Sequence, residues 1–270
     1  MTAIVANAGS ARLQDGRLMT FFLAGPPDGY PVVYCHGAIG SPRWRVPGLD
    51  AVIERERIRY VVVNRPGFCG SDPAPGRTVA DFGRDIGDLV SALGHRRFSV
   101  VGVSAGAPYA LACGWALPDL VVSVAAVSPL GPPDGIGAGA GLRYRVALVP
   151  FAMPVLGTRL AWLSLRALRL QSETSARSMI DDYLVCRSQW GFELGDLRVP
   201  VTVWHGHGDR LVPLSHTRGL TAAIPRCVAR VDPDGGHFFY SRRLAEIIRA
   251  LLPAQRTLEP VAQGSLSRAA

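Results

Sequence analysis

The stretch Gly102-Val103-Ser104-Ala105-Gly106 decides how this chain is read. It is a G-x-S-x-G run entered from an apolar strand-like segment, Arg97-Phe98-Ser99-Val100-Val101, and left by a helix-like one, Ala107–Ala116. The five-residue pattern is common by chance, and the strand before it and the helix after it are what make it specific. A strand that turns sharply into a helix strains the turn residue and presents its side chain above the sheet. A Cβ at either flanking position would crowd that turn, which accounts for both glycines. The amide of Ala105 then opens a helix and can donate to a developing oxyanion. Ser104 is the candidate nucleophile, and the plainer alternative is a small Gly/Ser turn in an α/β protein.

A serine nucleophile needs a base, and the base needs an orienting carboxylate. Pro200-Val201-Thr202-Val203-Trp204 reads as a buried strand running into His205-Gly206-His207-Gly208-Asp209. Asp209 thus falls on a loop past a strand's C-terminal end, where open α/β sheets build their sites. A helical pattern over 214–224 and a short strand around 227–231 follow, and the chain then reaches Asp234-Gly235-Gly236-His237. A histidine after paired glycines, between strand and helix, is placed to swing over the sheet edge. The order Ser104, Asp209, His237 is the one expected behind a nucleophile elbow. His205 and His207 also make an H-x-H-x-D run that could ligate zinc, but Arg210 follows and no remote set completes the site. They read instead as loop-forming residues around Asp209.

The remaining elements alternate. Residues 11–14 and 17–23 read as a hairpin closed by the tight turn Asp15-Gly16. Residues 31–35, 58–64 and Val121–Val127 are short β-branched runs of the kind buried on both faces of a parallel sheet. Helical patterns cover 49–57 and 79–93, the second with Phe82, Ile86, Leu89 and Leu93 on one face. Strands alternating with helices predict a mostly parallel sheet flanked by helices. The alternation breaks at Pro129: a Gly/Pro-rich linker (131–141) and two helical patterns (144–170 and 172–189) form an insertion after the sixth strand.

These segments together resemble the α/β-hydrolase fold family. The resemblance runs from about residue 29 to residue 253 and rests on His36-Gly37-Ala38, Asn64-Arg65-Pro66-Gly67-Phe68, the Ser104 elbow, and the Asp209 and His237 loops. It implies that Ala38, after the His-Gly pair, supplies a second oxyanion amide beside that of Ala105. It also implies that residues 130–196 form a helical cap on a core of 1–129 and 197–253, with 254–270 a flexible tail. One position departs from the family pattern. Cys69 stands where the loop after Pro66 usually carries glycine.

Composition agrees with one compact domain. The chain has 270 residues, 48% of them hydrophobic and 19% charged, which argues against disorder. All 29 basic residues are arginine, and the net charge is +8. Acidic substrates or anionic surfaces would suit that charge, but the arginines are scattered with no run longer than two. Arg159, Arg166 and Arg169 can share one helical stripe, read as membrane-facing or, more plainly, as a solvated cap face. Five cysteines without a C-x-x-C pair fit reduced thiols, and no secretory signal is visible, so a cytoplasmic location is expected. Cys35 reads as a buried inert thiol and His36 as a backbone-bonding residue; His95 and His216 have no evident partner.

The expected activity is hydrolysis of a small, largely apolar carboxylic ester, lactone or thioester through an acyl-enzyme. His237 takes the proton of Ser104, Asp209 orients the imidazole, and no cofactor, metal or nucleic acid is required. Perhydrolysis, C–C cleavage or lyase chemistry on the same triad, and a non-catalytic small-molecule receptor, are the alternatives.

Overall fold

The computed structural model describes residues 7–38, 48–132 and 176–253. The expected helix over 144–170 with its arginine stripe, most of the 131–141 linker and the tail 254–270 lie outside the described residues.

Eight strands form one sheet: β1 (Asn7–Arg12), β2 (Leu18–Ala24), β3 (Tyr30–Cys35), β4 (Ile58–Val63), β5 (Phe98–Val103), β6 (Val121–Val127), β7 (Val201–Gly206) and β8 (Cys227–Asp232). Their spatial order is β1-β2-β4-β3-β5-β6-β7-β8. The hairpin β1–β2 and the β2–β4 pair are antiparallel, and every other pairing is parallel. Six described α-helices connect them: α1 (Leu49–Arg55), α2 (Asp81–Ala92), α3 (Ala107–Ala116), α4 (Ala176–Arg187), α5 (Ser215–Ala223) and α6 (Tyr240–Ala250). This is the mostly parallel sheet flanked by helices that the alternation implied. Among the described residues no helix is long and apolar enough to cross a membrane.

Strand periodicity explains the two apolar layers. Along β5, Phe98 and Val100 join the cluster under α2 and α3, while Val101 and Val103 join the one under α1 and α6. Phe82, Ile86 and Leu89 of α2 are fully buried in the first layer. Leu244, Ile247 and Ile248 of α6 fill the second.

Three boundaries differ from the sequence reading. β1 begins at Asn7, because its small residues pair in register with the half-buried face of β2 even though they are weak strand formers. α1 stops at Arg55, since Arg57 takes a left-handed φ of 45° that no helix continues. β7 runs through Gly206, which puts His205 inside the strand.

The loop after β4 holds Cys69 in a left-handed conformation. Cys69 has φ 45°, between Gly67 at 85° and Gly70 at 88°, so the position demands the left-handed region and an L side chain tolerates it at a cost. Ser71 closes the loop by bonding the amide of Thr20 (2.9 Å) and the carbonyl of Asn64 (2.9 Å). Cys69→Gly should relieve about 1–2 kcal/mol of strain against about 0.5–1 kcal/mol of extra unfolded-state entropy. The expected result is a thermal midpoint about 1–3 °C higher, read by differential scanning calorimetry.

Candidate active site

The elbow sits at the C-terminal end of β5. Ser104 has φ 55°, and a short 3₁₀ turn (Ser104–Gly106) leads straight into α3. Both flanking glycines are forced by contact. A Cβ on Gly102 would lie 2.3 Å from the carbonyl oxygen of Gly106. One on Gly106 would lie 2.2 Å from the carbonyl oxygen of Cys35 and 2.5 Å from that of His36. The loop after β3 therefore packs directly on the elbow, and a Cβ built on Gly37 would be 3.6 Å from Ser104 Cβ.

Asp209 stands in a turn just past β7, its side chain fully buried. Oδ1 accepts the amides of Leu211 and Val212, both at 2.8 Å. Oδ2 accepts His237 Nδ1 at 2.8 Å and faces His205 Nε2 at 3.2 Å. His205 Nε2 also faces the carbonyl of Val212 at 3.0 Å. With two acceptors in front of it, Nε2 must carry the proton, and the Thr217 hydroxyl then donates to Nδ1 at 2.6 Å. Burial alone would raise the Asp209 carboxyl, but the bonds from His205, His237 and the Val212 amide hold it well below the usual carboxylate range.

His237 follows β8 in a loop tied to the Asp209 turn. Gly208 N donates to Gly235 O and His207 N to Asp232 O, each at 2.8 Å. Ser128, at the end of β6, donates its hydroxyl to the His237 carbonyl at 2.9 Å. Because Nδ1 is committed to Asp209, the neutral ring keeps a lone pair on Nε2. Among the described residues no hydrogen bond joins Ser104 to His237, so the structure joins the Asp–His pair and places the serine separately at the elbow. Phe238, half exposed, meets the His237 ring edge-on at 5.0 Å.

The loop Cys35–Ala38 is held from behind. His36 is buried against Phe68, and its Nδ1 lies 2.8 Å from Gly37 O. Burial, then the nearby charge of Arg65, pushes its pKa down to about 3, so Nδ1 carries the single ring proton and donates it. Arg65 is 0% exposed. It donates to the carbonyl of His36, to that of Gly37 at 3.2 Å, and through Nε and Nη2 to both oxygens of Asp182 at 3.1 and 2.8 Å. Asp182, on α4, also accepts Arg77 and the Tyr109 hydroxyl, each at 2.8 Å. Burial opposes its charge, but Arg65, Arg77 and Tyr109 keep the carboxyl below its ordinary range.

Sequence reasoning gave His205 only a loop or metal role and gave Arg65 and Asp182 none. The available signal was charge inside apolar surroundings. Arg65 follows the buried run of β4, and such a guanidinium must find a carboxylate. His216, without an evident partner in the sequence, accepts the Gly131 amide at 2.9 Å. Among the described residues no group of three or more His, Cys, Asp or Glu is arranged to hold a metal ion. Both nitrogens of His205 are taken by protein partners.

The model of the alpha/beta hydrolase family matches residues 32–250. The protein named "Putative carbamate hydrolase RutD" from Caulobacter sp. (strain K31) is 29% identical over 228 residues, 78% of this chain and 85% of that protein. A protein of the same name from Variovorax paradoxus (strain S110) is 26% identical over 248 residues, 84% of this chain and 92% of that one. The crystal structure of naproxen esterase (carboxylesterase NP) from Bacillus subtilis superposes with a TM-score of 0.66 at 19% identity, covering 92% of this chain and 91% of that chain, a likeness of fold.

The depressed Asp209 carboxyl fixes a sign. Its ionised form stabilises the folded state above the unfolded carboxylate value of about 3.9, and that contribution is lost as pH falls toward the lower folded value. The thermal-midpoint gap between wild type and Asp209→Asn should be full at neutral pH and narrow below about pH 4. Melts taken across that range check it; a constant gap would contradict the hydrogen-bonded carboxylate.

Proposed function

The chain belongs to the alpha/beta hydrolase family, and on that premise we propose that it is a serine hydrolase. In this reading it cleaves a small, largely apolar carboxylic ester, lactone or thioester through an acyl-enzyme. The observation that carries the reading is Ser104 held at φ 55° on the sheet's C-terminal edge, the same edge that carries the Asp209–His237 pair.

In this reading the steps use Ser104, His237, Asp209 and the amides of Ala105 and Ala38. His237 Nε2 accepts the Ser104 proton as Oγ attacks the substrate carbonyl carbon. The oxygen left negative is received by the amides of Ala105 and Ala38. Collapse breaks the bond to the alcohol, which leaves with the proton from His237. Water then adds to the acyl carbon, gives its proton to His237, and releases the acid and Ser104. Asp209 holds the imidazole in the Nδ1–H tautomer and balances its charge while it is doubly protonated. The insertion between β6 and β7 is the cap, residues 130–196, and shapes the acyl pocket. No step calls on a cofactor.

A second substrate reading is supported by the two relatives named as carbamate hydrolases, whose sequences align with most of this chain. A carbamate presents the same carbonyl to the same serine, so the two readings share a mechanism and differ in the group released. Incubation with a fluorophosphonate should add one stoichiometric mass increment to wild-type protein and none to Ser104→Ala or His237→Ala. Ester turnover in Ser104→Ala should fall by about three orders of magnitude or more with the fold intact by circular dichroism. Assay of ester and carbamate panels, the latter for ammonia release, separates the two substrates. Turnover unchanged in Ser104→Ala would end both readings, and folded wild-type protein that takes no adduct and turns over neither panel would leave a receptor.

A further inference from the structure

We propose that Arg65, held by Asp182 of α4, is a positioning residue that fixes the polarity of the oxyanion peptide Gly37–Ala38. The proposal rests on the serine-hydrolase reading above and extends it to residues that touch no substrate. It begins with peptide planarity. In a trans peptide the carbonyl oxygen of one residue and the N–H of the next point in opposite directions from a rigid plane. Whatever binds Gly37 O therefore decides where the Ala38 N–H points.

Two donors bind that oxygen from behind, His36 Nδ1 at 2.8 Å and Arg65 Nη2 at 3.2 Å. Arg65 also donates to His36 O, fixing the preceding peptide plane. If the Gly37–Ala38 peptide turned over, its carbonyl would enter the oxyanion site and its N–H would face a buried guanidinium. A carbonyl at that place repels the developing charge where an amide stabilises it. The guanidinium cannot move to allow the flip, because its other donors are fixed on both oxygens of Asp182.

The second amide is set from the same insertion. The Ala105 N–H shares its peptide plane with Ser104 O, which accepts the amide of Leu130 at 3.2 Å and that of Ala107. Leu130 lies at the root of the insertion between β6 and β7, and α4 lies inside it. Cys186, one turn along α4 from Asp182, places its thiol 3.7 Å from Ala105 O. Both candidate oxyanion peptides are thus anchored through their carbonyls by residues of the insertion or by a residue that the insertion holds.

The test uses full-length protein and p-nitrophenyl acetate, comparing wild type, Arg65→Lys, Asp182→Asn, Arg77→Gln and Ser104→Ala. Lysine keeps a cation facing Asp182 but loses the planar fork that reaches both partners. Arg77 bonds Asp182 and Pro66 O and does not touch the oxyanion loop, so its variant reports general loss of stability. For folded Arg65→Lys and Asp182→Asn, kcat should fall roughly 100-fold, the scale of losing one oxyanion donor. KM and the acid limb of the pH profile should stay put, since substrate binding and His237 are untouched. Inhibition by phenylboronic acid, whose tetrahedral adduct uses the same amides, should weaken in parallel, and Arg77→Gln should keep its kcat. Where Asp182→Asn does not fold, Arg65→Lys carries the test. Folded Arg65→Lys with kcat within about 3-fold of wild type, against the roughly 100-fold expected for a lost donor, would overturn the proposal while the serine-hydrolase reading stands. An equal loss in Arg77→Gln would also overturn it, by marking the effect as structural. Wild type without Ser104-dependent turnover overturns the reading itself, and the proposal with it.

Discussion

The close approach of the Gly106 backbone to the carbonyls of Cys35 and His36 is the constraint on which the site depends. Space for one missing side chain brings the end of β3 against the start of α3. That contact sets the loop carrying Ala38 beside Ser104, and the strained φ of Ser104 keeps its hydroxyl off the sheet rather than in it. β3 and β5 are neighbours with parallel register, so their C-terminal ends meet only because the intervening helices lie on the sheet's faces. The site is a consequence of topology sharpened by two glycines.

Two buried carboxylates hold the loops of that site, and they are built differently. Asp209 is surrounded by imidazoles and backbone amides, so its charge is stabilised by hydrogen bonds rather than by fixed cations. In the proposed mechanism its positive partner is His237 while that ring is doubly protonated. Asp182 is surrounded by two guanidiniums, whose charge is permanent in water, and by a neutral phenol. It can only hold. In the proposed mechanism the first serves proton movement and the second fixes geometry.

The sheet, its order of strands and helices, and the chain order of Ser104, Asp209 and His237 were legible in the sequence. They rest on local signals: β-branched runs, helical spacing in α2, and glycines at an elbow. What was not legible depends on pairing across long separations. Arg65 and Asp182 are 117 residues apart, and no local pattern links them. His205 looked like part of a loop because Gly206 and Gly208 follow it, yet β8 pairs with β7 as far as Gly206 and keeps it in the strand. Cys69 departs from the family pattern, and its backbone takes the left-handed region where glycine would rest more easily. Local sequence reports which conformations are comfortable; it does not report which discomforts the fold will bear.

The Arg65–Asp182 pair also bears on how such proteins diversify. A cap inserted between two strands looks like an exchangeable module, free to be replaced when a lineage takes up a new substrate. Here a segment of the insertion neutralises a cation rooted in the core. A foreign insertion without a carboxylate at that place would leave two buried guanidiniums facing each other with no counter-charge. Grafts and chimeras that respect only the strand boundaries would carry that defect from the outset. The heritable unit is the insertion together with Arg65 and Arg77, so its seam with the sheet runs through side chains rather than along the chain.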